Sequence, residues 1–247
     1  MLKSRLCIAF FAFAVGCAPA QKPLTDYVNP MVGTATLWDS VDLGFKPTKR
    51  TWGAEVFPGS SLPNAMVQVS PVTKFHSGAG YQYEDSVIYG FTHTNKGHWN
   101  LCHIPLLPVT GTPTPGDYCS PFSHERESAA PGYYQVFLDR YGVDAQLSST
   151  LRCAFHKYTY PAGAAPAVLP DLQRSNEHVR AWDIRKEGDN VFAGWQQTGE
   201  KMYFYAVANR PVTGIEPVVE GDREVRIVRF GEGDGALELR IGFSFVS

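Results

Sequence analysis

One short segment of the chain concentrates the side chain types that could bind a ligand or perform chemistry. Residues 89–108 carry three of the seven histidines, a tryptophan, two asparagines and a lysine between two apolar runs. A tryptophan in a polar loop can pack its flat face on the C–H face of a sugar, while amides and imidazoles bind the hydroxyl groups. The segment therefore predicts a binding loop with Trp99 as the stacking residue, and packing of Trp99 inside the fold is the alternative.

Two other kinds of chemistry find less support in the sequence. His93, His98 and His103 recur every five residues, but side chains of an extended strand share a face only at even separations, and no His-Glu-x-x-His or Cys-x-x-Cys spacing is present. We expect no metal site at these histidines. A serine hydrolase is equally unsupported, because the chain has no Gly-x-Ser-x-Gly elbow.

Four acidic residues lie in or near the polar loops, and glycoside hydrolysis needs two carboxyl groups that face each other across a bond. Sequence does not establish such facing, and the expected state of these acids is solvated at loop surfaces. They are Glu84, Asp85, Glu125 and Glu127.

The elements that must hold the polar segment are strands. Apolar and polar residues alternate in many short runs, 23 glycines and 18 prolines punctuate them, and no stretch keeps a helical apolar period. The pattern predicts an all-β fold, a large antiparallel β-sandwich with long loops at residues 34–59, 75–86 and 112–131. The predicted strands are residues 65–70, 133–138, 143–147, 152–160, 179–184, 191–196, 202–207, 224–230 and 237–245, of which 133–160 form a meander and 179–196 a hairpin.

The first twenty residues predict a signal peptide, so the mature domain is residues 21–247. Lys3 and Arg5 precede an apolar stretch at residues 6–16 that is too short to span a bilayer. Residues 14–17 resemble a bacterial lipobox that would acylate Cys17, whereas residues 18–20 would suit ordinary signal peptidase. Both predict export, to the periplasm or the cell surface, with a membrane contact only through a lipid anchor. The formal charge of −2 without charged blocks argues against nucleic acid as a partner.

Seven motifs, in order along the chain, together resemble the N-terminal domain of glycoside hydrolase family 92. They include Asp-Tyr-Val-Asn-Pro-Met-Val-Gly-Thr at residues 26–34, Ile-Tyr-Gly-Phe-Thr-His-Thr at 88–94 and Pro-Gly-Tyr-Tyr at 131–134, and the others lie at residues 56–60, 66–71, 104–111 and 122–125. The resemblance implies a bacterial, exo-acting, inverting α-mannosidase that depends on calcium. It also implies a β-sandwich followed by a larger (α/α)6 barrel that carries the catalytic acids and most of the calcium site.

No part of these 247 residues is expected to form that barrel, so the resemblance assigns them no catalytic residue and no metal ligand. The resemblance implies two partners, mannose-containing glycans and the barrel, which would be supplied in cis or in trans. It also implies that this domain is not active alone. A stand-alone glycan-binding lipoprotein is the alternative. Many members have Ser-Gly-Thr-Gly after the His-Thr, whereas this chain has Lys-Gly-His-Trp at residues 96–99, and this difference leaves the linkage open. The residues matching the family's sugar-binding loops are Trp99, His98, His93, Asn95, Lys96, Gly97 and Asn100, with Trp52 and Gly53 as a second choice.

Overall fold

The computed structural model describes residues 22–36, 55–97 and 99–246. The predictions for the signal peptide and for Cys17, Trp52, Gly53 and His98 lie outside these residues. Within the described part of the chain, no helix has the length and apolar character needed to cross a membrane.

Strands are almost the only regular secondary structure of the described residues and contain about half of them. The two helices are single 3₁₀ turns at Leu24–Tyr27 and His124–Arg126. The strands are β1 (Ser60–Ser61), β2 (Gln68–Val72), β3 (Val87–Ile88), β4 (Gly90–Thr92), β5 (Asn95–Lys96), β6 (Trp99–Asn100), β7 (Leu106–Val109), β8 (Ser120–Pro121), β9 (Glu127–Ala130), β10 (Tyr133–Leu138), β11 (Val143–Ser149), β12 (Cys153–Thr159), β13 (Ala167–Pro170), β14 (Ala181–Gly188), β15 (Val191–Gln197), β16 (Lys201–Ala208), β17 (Val212–Glu220), β18 (Arg223–Phe230) and β19 (Leu237–Ser244).

Two large antiparallel sheets make the predicted sandwich. One has seven strands in the order β1-β2-β4-β7-β13-β18-β17, and the other has eight in the order β14-β15-β16-β19-β12-β11-β10-β9. One apolar core cluster joins side chains of both sheets, with Phe91 and Leu106 from the first and Leu147 and Ile241 from the second. The strand pairs β3-β8 and β5-β6 are separate two-stranded ribbons.

Alternating burial explains why the predicted meander is correct. Tyr134, Val136 and Leu138 of β10 are buried while their neighbours are partly exposed, and β11 and β12 continue the pattern. Each of these strands is half-buried, so its inward residues recur with the period of two that the sequence displays. The register pairs Tyr134 with Leu147, and Leu147 with His156.

The polar segment lies where the sequence places it, between two buried strands of the seven-stranded sheet. All residues of β4 and β7 are buried, and Phe91 pairs with Leu106 across them. Between these strands the chain leaves the sheet and forms the β5-β6 ribbon. A second excursion, residues 171–180, leads from β13 in the first sheet to β14 in the other.

Candidate functional site

The β5-β6 ribbon presents its tip to solvent. Asn95 pairs with Asn100 and Lys96 with Trp99, so the turn between the strands has two residues. Gly97 takes the first of these with a φ of +61°, in the left-handed region that favours glycine in tight hairpins. Lys96 and Gly97 are exposed, and 54% of the Trp99 surface is accessible. The predicted stacking residue is therefore displayed outside the core.

His93, in contrast, lies in the core. It has no accessible surface, its Nε2 is 3.1 Å from Nε2 of His156, and its ring is 4.6 Å from that of Phe243. Burial lowers the pKa of His93 to about 3, so the imidazole is neutral at pH 7. The expectation that His93 contacts a sugar directly must be corrected, because no ligand can reach it in this arrangement.

Asn100 is likewise a support of the ribbon and not a surface contact. Its side chain has no accessible surface, accepts a hydrogen bond from the backbone N–H of Cys102 (2.8 Å) and donates to Oγ1 of Thr92 (3.0 Å). A Cβ on Gly80 would lie 2.6 Å from its Nδ2, so the neighbouring loop packs tightly against it. The amide atoms of Asn95 are also inaccessible and have no hydrogen-bond partner among the described residues. Among the described residues that were predicted to bind a sugar, Trp99, Lys96 and Gly97 are thus the exposed ones.

Asn176 ties the ribbon to two other loops. Its Nδ2 donates to the carbonyl of Asn100 (2.6 Å), and its Oδ1 accepts from the backbone N–H of His76 (2.6 Å). Ser175 donates to the carbonyl of Leu101 (2.8 Å). We call residues 76–80, 95–103 and 174–178, which these bonds connect, the three-loop junction. These hydrogen bonds fix the buried side of the junction, so the exposed tip of the β5-β6 ribbon is held in a defined position.

Glu177 places a carboxylate beside the ribbon. Its Oε2 accepts a 2.7 Å hydrogen bond from Thr198, which lowers the pKa of Glu177, and lies 3.1 Å from Nε2 of His103. The charge of Lys96 also contributes to the lowered pKa. Burial lowers the pKa of His103, which is therefore neutral at pH 7. Glu177 could not be predicted as a site residue from the sequence, because residues 175–178 form an ordinary polar run.

The described residues do not fit a calcium ion. Calcium takes six to eight oxygen ligands, including several carboxylates. Glu177 is the carboxylate bound into the three-loop junction, and its Oε2 is already used by Thr198 and His103. No group of three or more His, Cys, Asp or Glu side chains in the described ranges could hold a metal ion. No step of a reaction is therefore assigned to calcium on these residues.

One surface cavity borders the site, and a larger one lies elsewhere on the described residues. One of about 470 Å³ borders the three-loop junction, with His76 and Arg174 in its wall. The other, about 580 Å³, lies on the outer face of the eight-stranded sheet among Trp195, Tyr203 and Tyr205, and no residue of the ribbon lines it. Trp195 is half-buried on this face, and the Nζ atom of Lys201 lies 4.0 Å from the centroid of its ring.

Comparisons with known proteins agree with the architecture. Residues 27–244 match the family model described as the glycosyl hydrolase family 92 N-terminal domain. The structure of the family GH92 α-mannosidase BT3965 from Bacteroides thetaiotaomicron, also solved with mannoimidazole, superposes with a TM-score of 0.76 at 25% identity, covering 92% of this chain and 34% of that one.

A second solved structure has the same fold. The family GH92 inverting mannosidase BT2199 from B. thetaiotaomicron VPI-5482 gives a TM-score of 0.72 at 22% identity and covers 92% of this chain and 32% of that one. No curated protein matches the sequence. The chain spans about a third of the length of the solved proteins that it resembles.

Proposed function

Because the chain belongs to glycoside hydrolase family 92, matching its N-terminal domain over residues 27–244, we propose that it forms one wall of a mannoside-binding cleft. The observation that carries the proposal is Trp99, 54% exposed at the tip of a ribbon whose base is buried. A rigid base with an exposed aromatic ring suits binding of a sugar by its C–H face. Lys96, opposite Trp99, adds a hydrogen-bond donor for hydroxyl groups.

The second wall of the cleft would come from a catalytic domain. An inverting glycosidase needs a general acid and a general base on opposite sides of one sugar. The family resemblance assigns both, and most of the calcium site, to the barrel, which corresponds to the two thirds of the solved relatives that this chain does not cover. Export as a lipoprotein acylated at Cys17 is part of the same proposal and concerns residues outside the described ranges.

We expect the purified chain to be inactive as a hydrolase. Incubated with an aryl α-mannoside and calcium, it should release no aglycone above the enzyme-free rate, because no acid and base pair is assigned to it. The measurement is continuous absorbance of the released phenol, with a complete family 92 α-mannosidase as the positive control. Turnover that survives repeated purification would refute the proposal that the general acid and base lie in a separate catalytic domain.

Binding should depend on Trp99. A shallow site with one wall is expected to bind methyl α-mannoside with a Kd on the order of millimolar, and Trp99→Ala should weaken it at least about tenfold by removing the stacking surface. Isothermal titration calorimetry measures both values. Tyr205→Ala is the matched control, since Tyr205 is 52% exposed on the outer face of the eight-stranded sheet. Equal affinities in the wild type and Trp99→Ala would place the sugar elsewhere.

A further inference from the structure

We propose that Glu177 is a second sugar-contacting residue of this site and that its carboxylate accepts hydrogen bonds from hydroxyl groups of the sugar packed on Trp99. The inference rests on the proposed function and extends it to the class of ligand. No sequence motif marks Glu177; its position follows from the three-loop junction.

The first supporting observation is how the carboxylate is held. Thr198 and His103 both contact Oε2, at 2.7 and 3.1 Å, whereas Oε1 makes no hydrogen bond with the described residues. The side chain is 46% exposed. A carboxylate fixed through one oxygen has lost much of its rotational freedom before a ligand arrives, and its other oxygen remains able to accept hydrogen bonds.

The second observation is the position of Glu177 relative to the ribbon. The side chain of Asn176, the preceding residue, donates a 2.6 Å hydrogen bond to the carbonyl of Asn100, which directly follows Trp99. Lys96, the residue paired with Trp99, is near enough for its charge to act on Glu177. The indole, the amine and the carboxylate therefore belong to one surface region.

The charge of Glu177 determines which sugars it can bind. The pKa of Glu177 is lowered, chiefly by the hydrogen bond from Thr198, so at pH 7 the side chain is an anion with acceptors only. Sugar hydroxyl groups are donors, and their bonds to an ionised acceptor are stronger than bonds between neutral groups. The same charge repels anionic sugars. Glu177 should therefore favour a neutral mannoside with accessible hydroxyl groups over a phosphorylated or carboxylated one, in opposition to the positive charge of Lys96 in the same region.

The test compares two ligands across matched variants of the full chain by isothermal titration calorimetry. Glu177→Gln keeps the shape of the side chain and should weaken methyl α-mannoside about tenfold, as expected for loss of hydrogen bonds to a charged acceptor. The affinity for mannose 6-phosphate should stay constant or rise, because the repelling charge is gone. A purely structural role of Glu177 would weaken both ligands in parallel. Glu200→Gln, an exposed glutamate in the adjoining β15-β16 turn, is the control and should change neither.

The outcomes separate this inference from the proposal on which it rests. If Trp99→Ala abolishes binding of methyl α-mannoside while Glu177→Gln has the wild-type affinity for both ligands, Glu177 is not a contact and the inference is overturned alone. Parallel weakening of both ligands by Glu177→Gln overturns it as well. If Trp99→Ala has no effect, or the wild type binds no mannoside, the proposed function fails and the inference with it.

Discussion

Acidification from pH 7 to pH 5 is expected to lower the free energy of unfolding of this chain by about 4 kcal/mol, about 2 kcal/mol for each of two buried histidines. His93 and His156 have no accessible surface and face each other through their Nε2 atoms. Burial lowers the pKa of both, that of His93 to about 3, and the neighbouring His93 lowers that of His156 further. Typical domains have total stabilities of about 5–15 kcal/mol, so this loss would be large.

The sign follows from which state binds more protons. In the folded chain both imidazoles stay neutral, whereas in the unfolded chain they titrate near the ordinary histidine pKa of about 6.5. Below that pH the unfolded state gains protons that the folded state does not, so stability present above pH 6.5 is lost as the pH falls. The slope is about 1.4 kcal/mol per pH unit for each histidine and ends near the folded pKa, about 3 for His93.

Urea unfolding at pH 7, 6 and 5 measures the slope in a range above most carboxyl titrations. The double variant His93→Gln, His156→Gln should have a much flatter dependence on pH, although a residual slope from His103, whose pKa is also lowered, would remain. The exposed His76→Gln is the matched control and should keep the wild-type slope. Parallel pH profiles for the double variant and the wild type would rule out the buried pair as the source.

Strand positions could be predicted from the sequence where a strand of this sandwich is half-buried. β10, β11 and β19 bury every second residue, and the predicted runs match them to within two residues at either end. The edge strand β17 could not be predicted, because its residues do not alternate between buried and exposed. Only Val212 among its nine residues is buried, and Pro217 lies in its middle, so no alternation was available to detect.

The candidate site could be predicted only in its position along the chain. Residues 93–100 look alike in the sequence as one polar loop, yet Trp99 is exposed while His93 and Asn100 are buried. What buries them is remote in sequence, since His156 lies 63 residues beyond His93. Glu177 lies in the segment 171–180 that connects the two sheets, and it is 74 residues from its partner His103. Local patterns contain no information about such contacts.

The four loop acids show the same limit. Glu125 is exposed, as expected for a solvated acid, but Glu127 is the first residue of β9 and its side chain is 1% exposed. Both of its oxygens accept from Tyr81 (3.0 and 2.9 Å), Oε1 accepts from Tyr134 (2.6 Å), and Oε2 lies 2.6 Å from Nδ1 of His124. The expectation of a solvated side chain is therefore wrong for Glu127.

Glu127→Ala is expected to lower the free energy of unfolding by about 3–5 kcal/mol, because three hydrogen-bond donors lose their buried acceptor. Burial raises the pKa of Tyr81 and Tyr134, so both phenols stay protonated and would each lose an acceptor inside the core. Glu127→Gln retains an acceptor oxygen and should cost about 1–2 kcal/mol. Urea unfolding measures both, with Glu125→Ala as the matched control, expected to stay within about 0.5 kcal/mol of the wild type.

A double-mutant cycle separates the hydrogen bonds from the volume that Glu127→Ala removes. Tyr134→Phe deletes one donor and should destabilise the wild type, because Glu127 then lacks a partner at 2.6 Å. In the Glu127→Ala background the same change should cost little, since the hydroxyl group has no acceptor to lose there. Equal costs in both backgrounds would mean that the alanine variant is destabilised by the cavity it leaves and not by the three unpaired donors.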